Sequence, residues 1–89
     1  MEVYIVCGVC ITYGERINKL GERVIRVFDS EDKAIDFIQE LISEKLDDKY
    51  CIYDEVPSKE YIRKHRSHTP YYNNYVCEYS YAYSRYDIY

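Results

Sequence analysis

The stretch "FDSEDKAIDFIQELISEKL", residues 28–46, decides the fold because it holds the clearest periodic pattern in the chain. Its apolar side chains recur at helical spacing and form one stripe along a helix, namely Ala34, Phe37, Ile38, Leu41 and Ile42. Asp29 or Ser30 can cap the first turn by accepting a backbone N–H hydrogen bond. The pattern therefore predicts an amphipathic helix over about 30–46 whose apolar stripe packs on a second layer.

Alternating apolar residues on both sides of this helix predict four strands. They lie at about 2–13, 22–28, 49–56 and 74–89. The first strand is apolar on both faces, which is typical of a central strand. The last is either one strand or two short strands kinked near Ser80. A short helix is predicted near 58–66, with Ser58 as its cap.

Together these elements predict an α+β fold, with a four-stranded, mainly antiparallel sheet and the main helix packed on one face. A right-handed strand–helix–strand crossover favours the strand order 2-1-3-4. In that order the last strand is an edge. The sheet face away from the helix then needs its own cover or partner.

The size and charge of the chain limit the functions that it can have. Its 89 residues are predicted to form a single domain, 1–89. The net charge of −4 disfavours general nucleic-acid binding, because neutralising phosphates needs an excess of Lys and Arg. Glu2 stands where a secretory signal would carry positive charge, and no apolar run approaches the roughly 20 residues that span a bilayer. These features predict a cytoplasmic protein with reduced thiols and without a membrane partner.

Two short motifs have residue types that serve metal or thiol chemistry. "CGVC" places Cys7 and Cys10 at the spacing of zinc and redox sites, and "HRSH" adds His65 and His68. On an extended strand, residues three apart point to opposite faces, so the cysteines cannot share one metal without a bulge or turn. The histidines have only Glu60 near in sequence as an orienting carboxylate. We therefore predict no catalytic residue, no metal site and no cofactor.

Tyrosine dominates the end of the chain, "YVCEYSYAYSRYDIY", residues 75–89; the whole sequence holds 13 tyrosines and no tryptophan. The alternation predicts that four of these rings share one face of the last strand, namely Tyr75, Tyr79, Tyr81 and Tyr83. Two interpretations remain open. The rings either pack under the helix in the protein's own core, or they form a surface that binds a partner.

Charged residues suggest two further surfaces. The polar side of the main helix is acidic and is a second predicted partner-binding surface, formed by Glu31, Asp36, Glu40 and Glu44. The segment after the third predicted strand is basic instead. An alternative function, the binding of a nucleotide or nucleic acid, would use its cations for phosphate and nearby rings for stacking, namely Lys59, Tyr61, Arg63, Lys64, Arg66, Tyr71 and Tyr72.

The segments "VYIV", residues 3–6, and "VFDSEDKAIDFIQEL", residues 27–41, resemble small phage and prophage proteins of low-GC bacteria. The resemblance covers the first half of the chain and implies the β-β-α-β type of fold. Such proteins include anti-defence, anti-CRISPR-like inhibitors, which bind and occlude host machinery. The predicted function is thus a non-enzymatic interaction module in a bacterial cytoplasm. Its partner would be a host protein or ribonucleoprotein complex, and a homodimer through the tyrosine-bearing edge is compatible with this function.

Overall fold

The computed structural model describes residues 1–13, 19–74 and 76–88. Among these residues it contains, in chain order, β1 (Glu2–Thr12), β2 (Lys19–Phe28), α1 (Glu31–Ser43), α2 (Lys59–Lys64), β3 (Thr69–Asn73) and β4 (Cys77–Asp87). The strands form one antiparallel sheet in the order β2-β1-β4-β3. The predicted fold class is confirmed: the sheet has four strands, and the longer helix packs on one of its faces.

Strand β1 lies at the centre of the sheet, as its two apolar faces predicted. It pairs with β2 on one side and with β4 on the other. Val6 lies opposite Tyr83 and Gly8 lies opposite Tyr81, so these positions share the face that α1 covers. The neighbouring residues of β1 therefore point to the other face of the sheet.

Helix α1 forms where the apolar spacing predicts it. The Ser30 hydroxyl caps the helix by accepting a hydrogen bond from the backbone N–H of Lys33 at 3.2 Å. Its fully buried side chains are Ala34, Ile35, Ile38 and Ile42. The predicted stripe omitted Ile35 and instead included Phe37 and Leu41, which are half-buried at its margins. The helix also ends at Ser43, three residues before the predicted end.

Helix α2 confirms the short helix predicted near 58–66. Its cap is Ser58, whose hydroxyl accepts a hydrogen bond from the backbone N–H of Tyr61 at 3.1 Å. Ile62 is fully buried in the same core cluster as the apolar side of α1. This one side chain anchors α2 on the helical side of the sheet.

The predicted third strand at 49–56 is wrong. That segment is made of turns and bends with one isolated bridge, between Cys51 and Tyr72. It lies along β3, where Ile52 donates its backbone N–H to the Tyr71 carbonyl at 3.0 Å. Asn73 likewise donates to the Tyr50 carbonyl at 3.1 Å. The segment therefore satisfies hydrogen bonds of the outer edge of β3 without becoming a strand.

The predicted order 2-1-3-4 is wrong for the same reason. Strand β4 is continuous over Cys77–Asp87 and lies between β1 and β3, so the tyrosine-rich strand is central and not an edge. Tyr81 and Tyr83 explain its position, because their rings enter the core beneath α1 while Ile52 remains half exposed. The edge strand next to β4 is β3, whose Pro70 has no N–H to donate and is tolerated at an edge.

The other boundary differences are small. Strand β2 begins at Lys19, three residues before the predicted start, and the tail strand begins at Cys77, not near 74. No helix among the described residues is long and apolar enough to cross a membrane.

Candidate interaction surface

The sheet has two apolar faces, and α1 covers only one of them. On the face away from α1, β1 contributes Ile5, Cys7, Val9 and Ile11, each partly exposed. Val24 and Val27 of β2 lie opposite Cys7 and Ile5 and share this face. We call the face formed by these six residues, together with Ala82 and Tyr86 of β4, the open face.

Three side chains of the open face are unusually exposed for their type. Val24 is 59 % exposed, Val27 is 51 % exposed and Tyr86 is 53 % exposed. In an antiparallel sheet with one solvated face, the residues that face water are normally polar. Here the positions on β1 and β2 are largely β-branched, whereas β4 contributes both polar residues and Tyr86. An apolar strand pair of this kind is typical of a surface that another molecule covers.

The open face carries its acidic side chains toward one end. Glu22 lies opposite Val9 and Glu78 lies opposite Ile11, near the Thr12 end of β1. Burial, followed by the neighbouring Glu22 carboxylate, raises the pKa of the Cys7 thiol. Cys7 therefore stays a neutral, apolar thiol at neutral pH and adds to the apolar centre of the face.

The tyrosines of β4 divide between the core and the surface. Tyr81 is 5 % exposed and Tyr83 is 2 % exposed, and both belong to the core cluster with α1. Their rings close this protein's own core, which is the first of the two interpretations made from sequence. Tyr79 is 37 % exposed and remains accessible to a partner. Tyr75 lies outside the described residues.

A groove opens beside Tyr79 because β1 is longer than the helix α1 that covers it. At standard rises, the 13 residues of α1 span about 20 Å and the 11 residues of β1 span about 36 Å. The uncovered part holds a groove of about 520 Å³, with Gly8 and Cys10 beside Tyr71 and Tyr79. The Tyr71 and Tyr81 rings stack with centroids 4.3 Å apart, which fixes that wall.

Half of the predicted acidic and basic surfaces are paired with each other. Arg63 of α2 contacts Glu31 at 3.1 Å and Asp32 at 3.3 Å, and Lys59 contacts Asp36 at 2.8 Å. These exposed ion pairs fasten α2 along α1. They also engage two of the four acidic residues proposed for partner binding and two of the four cations proposed for phosphate binding.

The remaining members of these sets are separated in space. Glu40 on α1 and its C-cap Glu44 are exposed, as are Lys64 on α2 and Arg66 in the turn that follows it. The Tyr61 ring stacks on His65 with centroids 4.2 Å apart, whereas Tyr71 and Tyr72 belong to β3. The residues of the nucleotide-binding alternative therefore do not form one site. Tyr72 instead packs against Tyr50 and Tyr79.

The two cysteines of "CGVC" follow the strand parity predicted for them, and the histidines lie in the turn after α2. Cys7 lies on the open face and Cys10 lies in the groove on the opposite side. The His65 ring Nδ1 lies 2.9 Å from the Tyr61 carbonyl, and His68 Nε2 lies 3.6 Å from a Glu78 carboxylate oxygen. Among the described residues, no group of three His, Cys, Asp or Glu side chains can hold a metal ion.

Sequence reasoning predicted that the second sheet face needs a cover but did not name its residues. The signal was present in residues 3–11, where both faces of the strand are apolar. By itself, that pattern predicts only a central position in the sheet. Comparison of the chain with protein families, curated proteins and solved structures finds no match.

Proposed function

We propose that the chain is a non-enzymatic protein-interaction module whose open face binds a protein partner. The observation that carries this proposal is the exposure of Val24, Val27 and Tyr86 on a face where β1 is also apolar. Burying such a surface is favourable by roughly 25 cal/mol per Å² of apolar area. A protein surface can supply the extended apolar contact that this requires.

The partner surface is defined by the chemistry of the open face. Its centre should be apolar, to match Ile5, Cys7 and Val24. At the Thr12 end it should carry a cation, because the exposed Glu22 lies there. Complementary charges at the rim set the orientation and the association rate more than they set the affinity.

The more specific role within this class is inhibition of a host defence complex. The resemblance of residues 3–6 and 27–41 to small phage proteins supports it, as does a compact chain that can occlude a larger assembly. The partner would be a host protein or ribonucleoprotein complex in the bacterial cytoplasm. Expression in a bacterium with an active RNA-guided defence should raise phage plating efficiency, and unchanged plating across such hosts would contradict this role.

The interaction surface itself is tested by affinity capture from bacterial lysate with quantitative mass spectrometry. One bait changes the open face through the substitutions Val24→Lys and Val27→Lys. A matched control bait changes the acidic surface of the helix through Glu40→Gln and Glu44→Gln. A stoichiometric partner should bind the wild type and the control but not the open-face variant. Loss in the control alone would assign the contact to the helix.

Self-association is measured in the same experiment series by analytical ultracentrifugation. A wild-type dimer that the open-face variant converts to a monomer would make a second copy of the chain the partner. A monomer that captures no partner at low or moderate salt would contradict the proposed function.

A further inference from the structure

A second concave site lies on the helical side of the sheet, at the end opposite the tyrosine groove. It opens between the start of α1, the turn that follows α2 and the last residues of β4. The cleft measures about 600 Å³. We call it the arginine cleft, and besides Glu31 it is lined by Tyr4, Arg66, Ser67, Tyr83, Ser84 and Arg85.

The backbone holds the two arginines in a fixed relation. Tyr83 donates its backbone N–H to the Arg66 carbonyl at 2.8 Å, which ties the turn to β4 two residues before Arg85. Arg85 also lies opposite Tyr4 in the β1–β4 register, so these two side chains share one face of the sheet. The two arginines therefore line the cleft from two different elements.

Arg66 and Arg85 can each bind an anion. Among the described residues, no carboxylate lies within ion-pair distance of Arg66. Arg85 contacts Glu2 at 3.5 Å, between side chains that are both at least half exposed. A surface pair of this kind contributes little and exchanges readily for a stronger anion.

The one acidic residue that lines the cleft, Glu31, is already engaged. Its Oε1 accepts a hydrogen bond from Arg63 Nε at 3.1 Å, and its Oε2 accepts one from the Tyr83 hydroxyl at 3.3 Å. Burial and the Glu31 charge raise the pKa of Tyr83 to about 12, so its hydroxyl keeps its proton at neutral pH. Glu31 is thus compensated by groups other than the two cleft arginines.

We propose that the arginine cleft binds a phosphate dianion, either free phosphate or a phosphate monoester, through Arg66 and Arg85. Guanidinium forks match the oxygens of phosphate and can each donate two hydrogen bonds. Ser67 adds a hydroxyl group to the lining of the same cleft. A tetrahedral group with three terminal oxygens can accept from both forks at once, which a planar carboxylate with two oxygens does less well. This site is independent of the open face.

The test is a titration of the whole chain with inorganic phosphate, methyl phosphate and acetate at constant ionic strength, followed by ¹⁵N NMR. Signals of the Arg66 and Arg85 side-chain Nε–H groups should shift and saturate with phosphate ligands in the range of about 1 mM. Acetate should bind more weakly. Tighter binding of methyl phosphate would identify an ester as the source, and equal or tighter binding of inorganic phosphate would identify the free anion.

Arg66→Gln and Arg85→Gln should each weaken phosphate binding by at least about tenfold, because each removes charged hydrogen bonds. The matched control is Lys64→Gln, which removes an exposed cation of α2 outside the cleft and should leave the affinity unchanged. All three positions are exposed, so the variants should keep the wild-type backbone spectrum. Absence of saturation, or equal weakening by all three variants, would overturn the proposal.

Discussion

The two faces of the sheet have similar apolar residues but different surroundings. On the covered face, Val6 and Tyr83 are buried beneath Ile35 and Ile38 of α1. On the open face, Val24 stays more than half exposed. The difference shows that an alternating pattern specifies a strand and its two faces. Whether a face is covered depends instead on whether the chain has a helix to pack on it.

The covered face is limited by the length of its helix. Helix α1 buries four side chains completely, and α2 adds Ile62 at one side. Both helices lie on the same side of the sheet, since their ion pairs join them to each other. The stability of the fold should therefore depend on the covered face, and binding should depend on the open face.

The largest expected effect separates two tyrosines of the same strand. Tyr81→Ala removes a ring that is almost completely buried, and comparable truncations cost about 3–5 kcal/mol of unfolding free energy. Tyr79→Ala removes a partly exposed ring and should cost clearly less. Urea denaturation followed by circular dichroism measures both. Equal losses would mean that the two rings contribute equally to the core.

A second comparison places one substitution on each face. Ile38→Ala removes a fully buried side chain from α1 and should cost about 2–5 kcal/mol. Val24→Ala on the open face should change the unfolding free energy by less than about 1 kcal/mol, because its side chain is already hydrated.

Ile38→Val keeps this second comparison measurable if the alanine variant does not fold. It should cost about 0.5–1.5 kcal/mol. A larger loss for Val24→Ala than for Ile38→Val would contradict the assignment of the faces. Partner binding should respond in the opposite way, since only Val24 belongs to the open face.

The sequence predicted the elements better than it predicted their arrangement. The spacing of Ala34, Ile38 and Ile42 and the cap at Ser30 were sufficient to predict α1, because helix formation depends on local contacts. The double-faced pattern of β1 was sufficient for its central position. These features act within a few residues of each other along the chain.

The strand order could not be predicted because it depends on long-range competition. Residues 49–56 and 74–89 both have strand character, and only one of them could lie beside β1. Residues 77–87 hold this position, because Tyr81 and Tyr83 pack in the core with α1. The arginine cleft could not be predicted either, because the backbone hydrogen bond between Arg66 and Tyr83 of β4 depends on that strand order.

Raising the pH into the alkaline range should lower the unfolding free energy by a smaller amount, through the ionisation of Tyr83 on the covered face. Burial and the Glu31 charge raise the pKa of Tyr83 to about 12, above the value of about 10 for an unfolded chain. The unfolded chain therefore loses this proton first. Stability contributed by the protonated form is complete below about pH 10 and is lost as the pH rises toward 12.

Urea midpoints measured from pH 9 to about 11.5 test this linkage. The midpoint of the wild type should fall over that interval, and the fall should be smaller for Tyr83→Phe, which has no hydroxyl to ionise. Tyr86→Phe is the matched control, because the Tyr86 ring is half exposed on the open face, and it should behave like the wild type. Parallel curves for Tyr83→Phe and the wild type would contradict the role of Tyr83.

The smallest expected effect concerns how α2 is fastened to α1 over the covered face. Arg63→Gln removes contacts with Glu31 and Asp32, but these side chains are exposed, so the urea midpoint should fall only slightly. The difference from the wild type should vanish at about 1 M salt, where the screening length is about 3 Å. Lys64→Gln, on the same helix, removes a cation without an ion pair among the described residues and should leave the midpoint unchanged. A loss for Arg63→Gln that persists in salt would show that Arg63 acts by packing its stem against α1, which would make α2 part of the apolar cover and not only an electrostatic attachment to it.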